Sequence, residues 1–311
     1  MTTPSVERAT PRGDMAGTPS AAPSADGSTI HDLGYRRYSG TRVGASGAWS
    51  ALYVQSLRAM FGLGRPAKAK VIPAVVMIVT MLPALAIITA ASASNGQVPI
   101  KYGQQVGGQL FLFVLFLAAQ APEVLSRDQQ HRLLPLLFTR DVSRTSYASA
   151  RFLAIFTAMF IVALAPMLVL YVGQIGIAKD PAAAFRTMGD RVWPVLAQAT
   201  LSAFAFTGIG AALAAWTPRR AYATAAIFGT FLLLAAVSSG LDGLAGVGLR
   251  SAELLDPLRA MRTMALIFFG ETNRGMELTP PPPITVYIAL TIGLGIGGLG
   301  ILMLRMRRLR T

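Results

Sequence analysis

The residues 122–151, PEVLSRDQQHRLLPLLFTRDVSRTSYASAR, gather the side chains on this chain best suited to meeting another charged surface. They hold three acids, five arginines and one histidine between two long runs that carry no charge. Glu123, Arg127, Asp128 and Arg132 recur at helical spacing, and Ser143 has the type and position of an N-cap. The spacing therefore predicts a helix, a break at Pro135 and a second helix start. Charges of both signs on one folded connector can meet a complementary cleft and fix its register, which is docking chemistry rather than catalysis. The plainer alternative is a solvated loop whose arginines only set membrane orientation.

Little else on the chain could carry a reaction. Cysteine is absent, and the two histidines, His31 and His131, lie a hundred residues apart, so no metal or thiol site is legible. No GxxxxGK[ST] occurs, and the glycines at Gly62, Gly64 and 293–300 lack the Lys-Ser/Thr that would contact phosphate and magnesium. The apolar runs contain no acid, base or histidine of the kind that marks a proton relay or an ion-coupled site. No catalytic or metal-binding residue is assigned, and an intramembrane enzyme is disfavoured for the same reason.

The elements that must position the charged stretch follow from composition. Of the 311 residues 53% are hydrophobic and only 14% charged, and the mean hydropathy is +0.52; these values place the chain among multi-span membrane proteins, all-α in class. Residues 1–47 are rich in Ser, Thr, Pro, Ala and Gly and are expected to form a disordered arm, without the apolar core of a signal peptide. In 48–70, Trp49, Leu52, Tyr53, Leu57, Met60 and Phe61 fall on one helical face, which predicts an amphipathic helix lying in the membrane interface with its aromatics at the acyl boundary. Residues 71–311 form the six-span domain, with spans at 71–93, 102–121, 152–178, 192–216, 221–241 and 284–304, each long enough for a ~30 Å hydrocarbon core. Between the fifth and sixth spans, about 242–283, apolar residues interrupted at Pro257 and Gly270 predict short helices dipping into the outer leaflet, and Pro280 to Pro283 a stiff stub before the last span.

Six spans put both termini on one side. Twenty of the 28 Lys and Arg lie on that side and eight on the other, so both termini are expected in the cytoplasm of a multi-pass cell-membrane protein. The formal charge of +14 then serves orientation, and the lipid bilayer, not nucleic acid, is the expected partner.

In order along the chain, Glu123, Ser126-Arg127-Asp128, Arg132, Leu134-Pro135-Leu136-Leu137, Thr139-Arg140, Val142-Ser143-Arg144 and Tyr147 resemble the first cytoplasmic loop of ABC-2-type ABC transporter permeases. Asp141 stands where that family often has proline and Arg151 where it often has lysine. The resemblance implies a coupling helix that presents Glu123, Arg127, Asp128, Gln130, Arg132 and Leu133 to a separate ABC-type ATP-binding subunit. Ser143, Arg144 and Tyr147 would then lead into the third span. ATP and magnesium would sit on that partner, with no cofactor on this chain, and a second permease, identical or related, would complete the transporter. An interfacial elbow before the first span and outer helices capping the pathway belong to the same pattern. No stretch matches the Glu-Ala-Ala loop of ABC importers, which favours export of an unidentified lipophilic or amphipathic substrate. A membrane scaffold or channel that uses no ATPase is the alternative.

Polar and aromatic residues within the spans are candidates for lining a pathway: Gln109, Phe113, Gln120, Gln174, Gln198 and Phe228, because an amide facing lipid would lack partners. Small residues, Gly208 with Ala212 and the glycines 293–300, allow close helix approach; packing within one bundle is preferred over a subunit interface.

Overall fold

In a computed structural model the described residues, 44–94, 97–131, 133–139, 142–244, 250–272 and 280–308, contain helices and no strand. Residues 1–43, Arg132, Arg140 and Asp141 lie outside them, and with them most of the expected amino-terminal arm, whose last residues, 45–47, instead open a helix. The helices are α1 (Ala45–Met60), α2 (Ala67–Ala93), α3 (Tyr102–Gln130), α4 (Leu133–Phe138), α5 (Arg144–Gly176), α6 (Pro181–Thr187), α7 (Val192–Trp216), α8 (Arg220–Leu244), α9 (Pro257–Phe268) and α10 (Ile284–Arg308). Six of them, α2, α3, α5, α7, α8 and α10, are long and apolar enough to cross a membrane. This is an all-α polytopic membrane protein.

The helices outrun the apolar segments that predict them. The second span was expected to end at 121, but α3 continues to Gln130; the third was expected to begin at 152, but α5 starts at Arg144. Hydropathy measures the thickness of hydrocarbon, whereas a helix stops only where its backbone hydrogen bonds do. With 33 residues, α5 is about 50 Å long and must project beyond a membrane at one end.

The core is built around α3, which packs against α2, α5, α7, α8 and α9. That central place accounts for the polar composition at its start: Gln105 and Gln109 are buried inside the protein rather than turned to lipid. Apolar side chains that stay exposed, among them Ile78 and Leu82 on α2, Leu232 and Leu233 on α8 and Ile296 on α10, form a surface suited to hydrocarbon.

Small residues bring α7 and α10 together within the bundle. A Cβ on Gly208 would lie 2.2 Å from the Leu294 carbonyl oxygen, and one on Gly298 would lie 2.1 Å from the Gly208 carbonyl oxygen. Gly293, Gly297 and Gly300 have open space instead. At the crossing of these two helices, then, the glycines serve packing inside one chain.

The described part of the segment between the fifth and sixth spans holds short helices, as expected. Pro257 opens α9 at a position where its missing N–H costs nothing, and the Asp256 carboxylate accepts from Leu258 N at 2.9 Å as the N-cap. Gly270, at φ +64, follows its end.

Candidate functional site

The charged stretch is not a loop. Its first third is the end of α3, which passes through Pro122 without interruption. A proline inside a helix leaves the carbonyl four residues earlier without its N–H partner. Here that carbonyl belongs to Ala118, and Thr224 Oγ1 on α8 donates to it at 2.8 Å. A hydroxyl from a neighbouring helix thus replaces the bond the proline removes, and the helix continues. The break expected at Pro135 falls earlier, at the His131 cap of α3; Pro135 lies in the first turn of α4, where no intrahelical donor is needed.

Continuity of α3 sets Glu123, Ser126, Asp128 and Gln129 facing the bundle. Asp128, 8% exposed, is ion-paired with Arg151 Nη2 on α5 and accepts from Tyr147 Oη at 2.8 Å. Arg151 lies over the Tyr147 ring at 5.2 Å, and its Nη1 donates to Ser56 Oγ on α1 at 2.7 Å. One buried node therefore joins α1, α3 and α5. Glu123 forms a second: Arg65, in the turn after α1, donates to it at 2.6 Å, Arg220 at the start of α8 is ion-paired with it, and Arg127 lies 3.8 Å away.

Between these nodes the end of α7 is capped by side chains. Ser126 Oγ donates to the Ala214 carbonyl at 3.1 Å, Gln129 Nε2 to Ala215 at 3.1 Å, and Thr217 Oγ1 to Leu213. Three of the four carbonyls that a helix end leaves open are satisfied in this way. Arg305 of α10 lies over the Trp216 ring at 5.2 Å.

The six residues expected to face an ATPase are thereby divided. Arg127, Gln130 and Leu133 are exposed, together with His131. Glu123 and Asp128 are spent on partners within the chain, and Arg132 lies outside the described residues. Burial with a strong internal partner is what turns an acid inward: an isolated carboxylate there would be costly, and a guanidinium offsets that cost. The loop-to-span residues keep the expected layout. Ser143 Oγ accepts from Ser146 N at 3.0 Å as the N-cap of α5, Tyr147 is buried, and Arg144 Nη1 donates to the Arg307 carbonyl at 2.9 Å. Arg65, Arg220 and Ser56 were not legible as partners, since nothing local marks them.

The aromatic face of α1 also finds protein. Trp49 and Tyr53 stack at 5.6 Å; Trp49 Nε1 donates to Ser149 Oγ at 3.0 Å and Tyr53 Oη to Thr157 Oγ1 at 3.0 Å, both on α5. Both rings stay half-buried, with their polar atoms bonded to α5. Leu52 and Met60 are buried, and Leu57 and Phe61 pack against the same core.

Of the candidate lining residues, Gln109 and Gln105 border a cavity of about 260 Å3 between α2 and α3, and Gln174 borders one of about 520 Å3 at the end of α5. Gln109 Nε2 donates to the Thr80 carbonyl at 2.8 Å, and Gln174 Oε1 accepts from Tyr102 Oη at 2.8 Å. Gln198 is buried against α9, donating to Ser202 Oγ at 3.0 Å and to the Met261 carbonyl at 3.4 Å. Phe113 and Gln120 are buried, Phe113 edge-on to Phe206, while Phe228 is half-buried beside Phe111.

At the far end of α3, Glu271 accepts from Gly103 N at 2.9 Å and Gln104 N at 3.1 Å. A carboxylate on the open N–H groups of a helix N-terminus is favourable both as a hydrogen-bond acceptor and as a charge. It ties the segment that follows α9 to the same helix whose other end carries the charged turn.

A family model described as ABC-2 family transporter protein matches residues 86–252, more than half of the chain and the whole of the charged stretch. No curated protein matches the chain.

Proposed function

Because this chain belongs to the ABC-2 family of transporter proteins, we propose that it is the permease subunit of an exporter driven by a separate ATP-binding subunit. One observation carries the reading. The end of α3 presents Arg127, Gln130 and His131 outward, with Leu133 at the start of α4, while the other face of α3 is bonded to α5 and α7, to Arg220 at the head of α8 and, through Arg151, to α1. Such an end is a lever: a partner pressing on the exposed turn moves a rigid helix at the centre of the bundle. The opposite end of that helix is capped by Glu271 and packed against α9, so displacement at the turn reaches the outer segment.

In this reading ATP and magnesium bind the partner subunit, and a second permease, identical or related, faces this one across the pathway. The excess of Lys and Arg at the end holding the turn supports a cytoplasmic position for it and for both termini, in the cell membrane. The exposed apolar faces and the few internal charges suit a lipophilic or amphipathic cargo.

The test uses the exposed residues, since reversing Asp128 would strand a buried charge. With its ATP-binding subunit co-expressed, the tagged chain should retain that subunit on purification. Arg127→Glu with Leu133→Asp should insert normally and lose it, the misplaced charges costing on the order of 3 kcal/mol, more than a hundredfold in affinity. Undiminished co-purification would overturn the coupling role of the turn.

A further inference from the structure

Between α1, the turn that follows it and the end of α3 lies a cavity of about 930 Å3. Arg58, Arg65, Arg127 and Arg151 line it with Glu123 and Asp128, so four guanidinium groups face two carboxylates. Neither carboxylate has charge to spare: Glu123 is shared among Arg65, Arg127 and Arg220, which lies behind it, and Asp128 is taken by Arg151. Arg58 has no acidic partner among the described residues. Arg151 is 6% exposed, and its Nε has no hydrogen-bond partner. With four guanidinium groups against two carboxylates already engaged, the group in short supply along this lining is an anion.

Apart from Gln55 and His131, the remaining wall is apolar. Val54, Leu63 and Leu133 line the cavity and are exposed. Guanidinium groups bind phosphate oxygens in paired, directional hydrogen bonds, whereas a free phosphate would gain nothing from the apolar wall. We propose that the cavity takes the phosphate-bearing headgroup of an anionic phospholipid, with the glycerol and the roots of the acyl chains against Val54, Leu63 and Leu133. The leaflet at the basic end supplies it; if that end is cytoplasmic, as proposed for the bundle, it is the leaflet in which such lipids attract basic segments. The bound lipid would tie α1 to the end of α3 and stiffen the junction on which the exposed turn rests.

The experiment needs no ATPase, so it stands apart from the coupling role. The purified, delipidated chain in neutral detergent is titrated with short-chain phosphatidylglycerol, with phosphatidylcholine of equal chain length, and with glycerol phosphate. Phosphatidylglycerol should bind saturably and about tenfold or more tighter than either comparator. Arg58→Gln with Arg127→Gln, both on exposed side chains, should weaken it by about tenfold. Lys68→Gln with Lys70→Gln removes the same charge from exposed positions outside the cavity and should change it by less than about twofold. Equal losses in the two double variants would reduce the effect to general surface attraction, and glycerol phosphate binding as tightly as the lipid would make this a site for a free anion; either result overturns the proposal. Lipid extracted from the wild-type chain after mild purification gives a reading free of any variant: it should be enriched in anionic phospholipid over the parent membrane, and a composition equal to the bulk counts against the site.

Discussion

Asp128 on α3 and Arg151 on α5, twenty-three positions apart in the chain, form a buried ion pair, and Arg151 carries the connection on to Ser56 of α1. Both residues stand in the stretch that reads from sequence as a docking surface. The pair places one of them at the root of that surface instead. What a partner meets is the convex side of a turn whose concave side is already bonded into the protein.

Removing one member of the pair should be expensive. Asp128→Ala or Arg151→Ala leaves an uncompensated buried charge and is expected to cost about 3–5 kcal/mol, whereas the double substitution should cost less than the sum of the two. Thermal unfolding of the four proteins in one detergent measures the coupling. Additive losses would mean that the two side chains act independently.

Thr224 should matter only because of Pro122. Thr224→Val leaves the Ala118 carbonyl without a donor and should destabilise by roughly 1 kcal/mol. In a Pro122→Ala background the helix supplies its own N–H, so the same substitution should cost less than half as much. The difference between the two backgrounds, read from unfolding midpoints, is the quantity to compare; equal costs would show that the hydroxyl plays no part in carrying α3 through its proline.

Glycines on one helix should respond in opposite directions. Gly298→Ala places a methyl group 2.1 Å from the Gly208 carbonyl oxygen and must force α7 and α10 apart, at an expected loss of about 1–3 kcal/mol. Gly293→Ala and Gly297→Ala meet open space and should be neutral or slightly stabilising, because alanine favours the helix by up to about 1 kcal/mol. Retention of the monodisperse folded chain at elevated temperature separates the two groups.

Topology can be read without removing any native thiol, since the chain has no cysteine. Cysteines introduced at the exposed positions Gln130 and Arg219 should resist a membrane-impermeant reagent in intact cells and react after permeabilisation. Those at Lys179 and Thr272, also exposed, should react in intact cells. The reverse pattern would invert the bundle.

The sequence alone determined what hydropathy and short-range chemistry carry. Six apolar runs, an amphipathic segment before them, a Ser143 cap and an interruption at Pro257 each depend on residues within a turn or two of one another, and each is present in the structure. The order of residues across the charged stretch was enough to point to the ABC-2 family. Tertiary structure decided the rest: that α3 runs on past Pro122, that Glu123 and Asp128 turn inward, and that Trp49 and Tyr53 bond to α5. In each case the deciding partner is far away in sequence, Thr224 for the proline, Arg65 and Arg220 for Glu123, Arg151 for Asp128, Ser149 and Thr157 for the aromatics. Periodicity gives the angle between side chains on one helix, but not which side of that helix faces its neighbours; that rotation is set by packing and by the need to pair every buried charge.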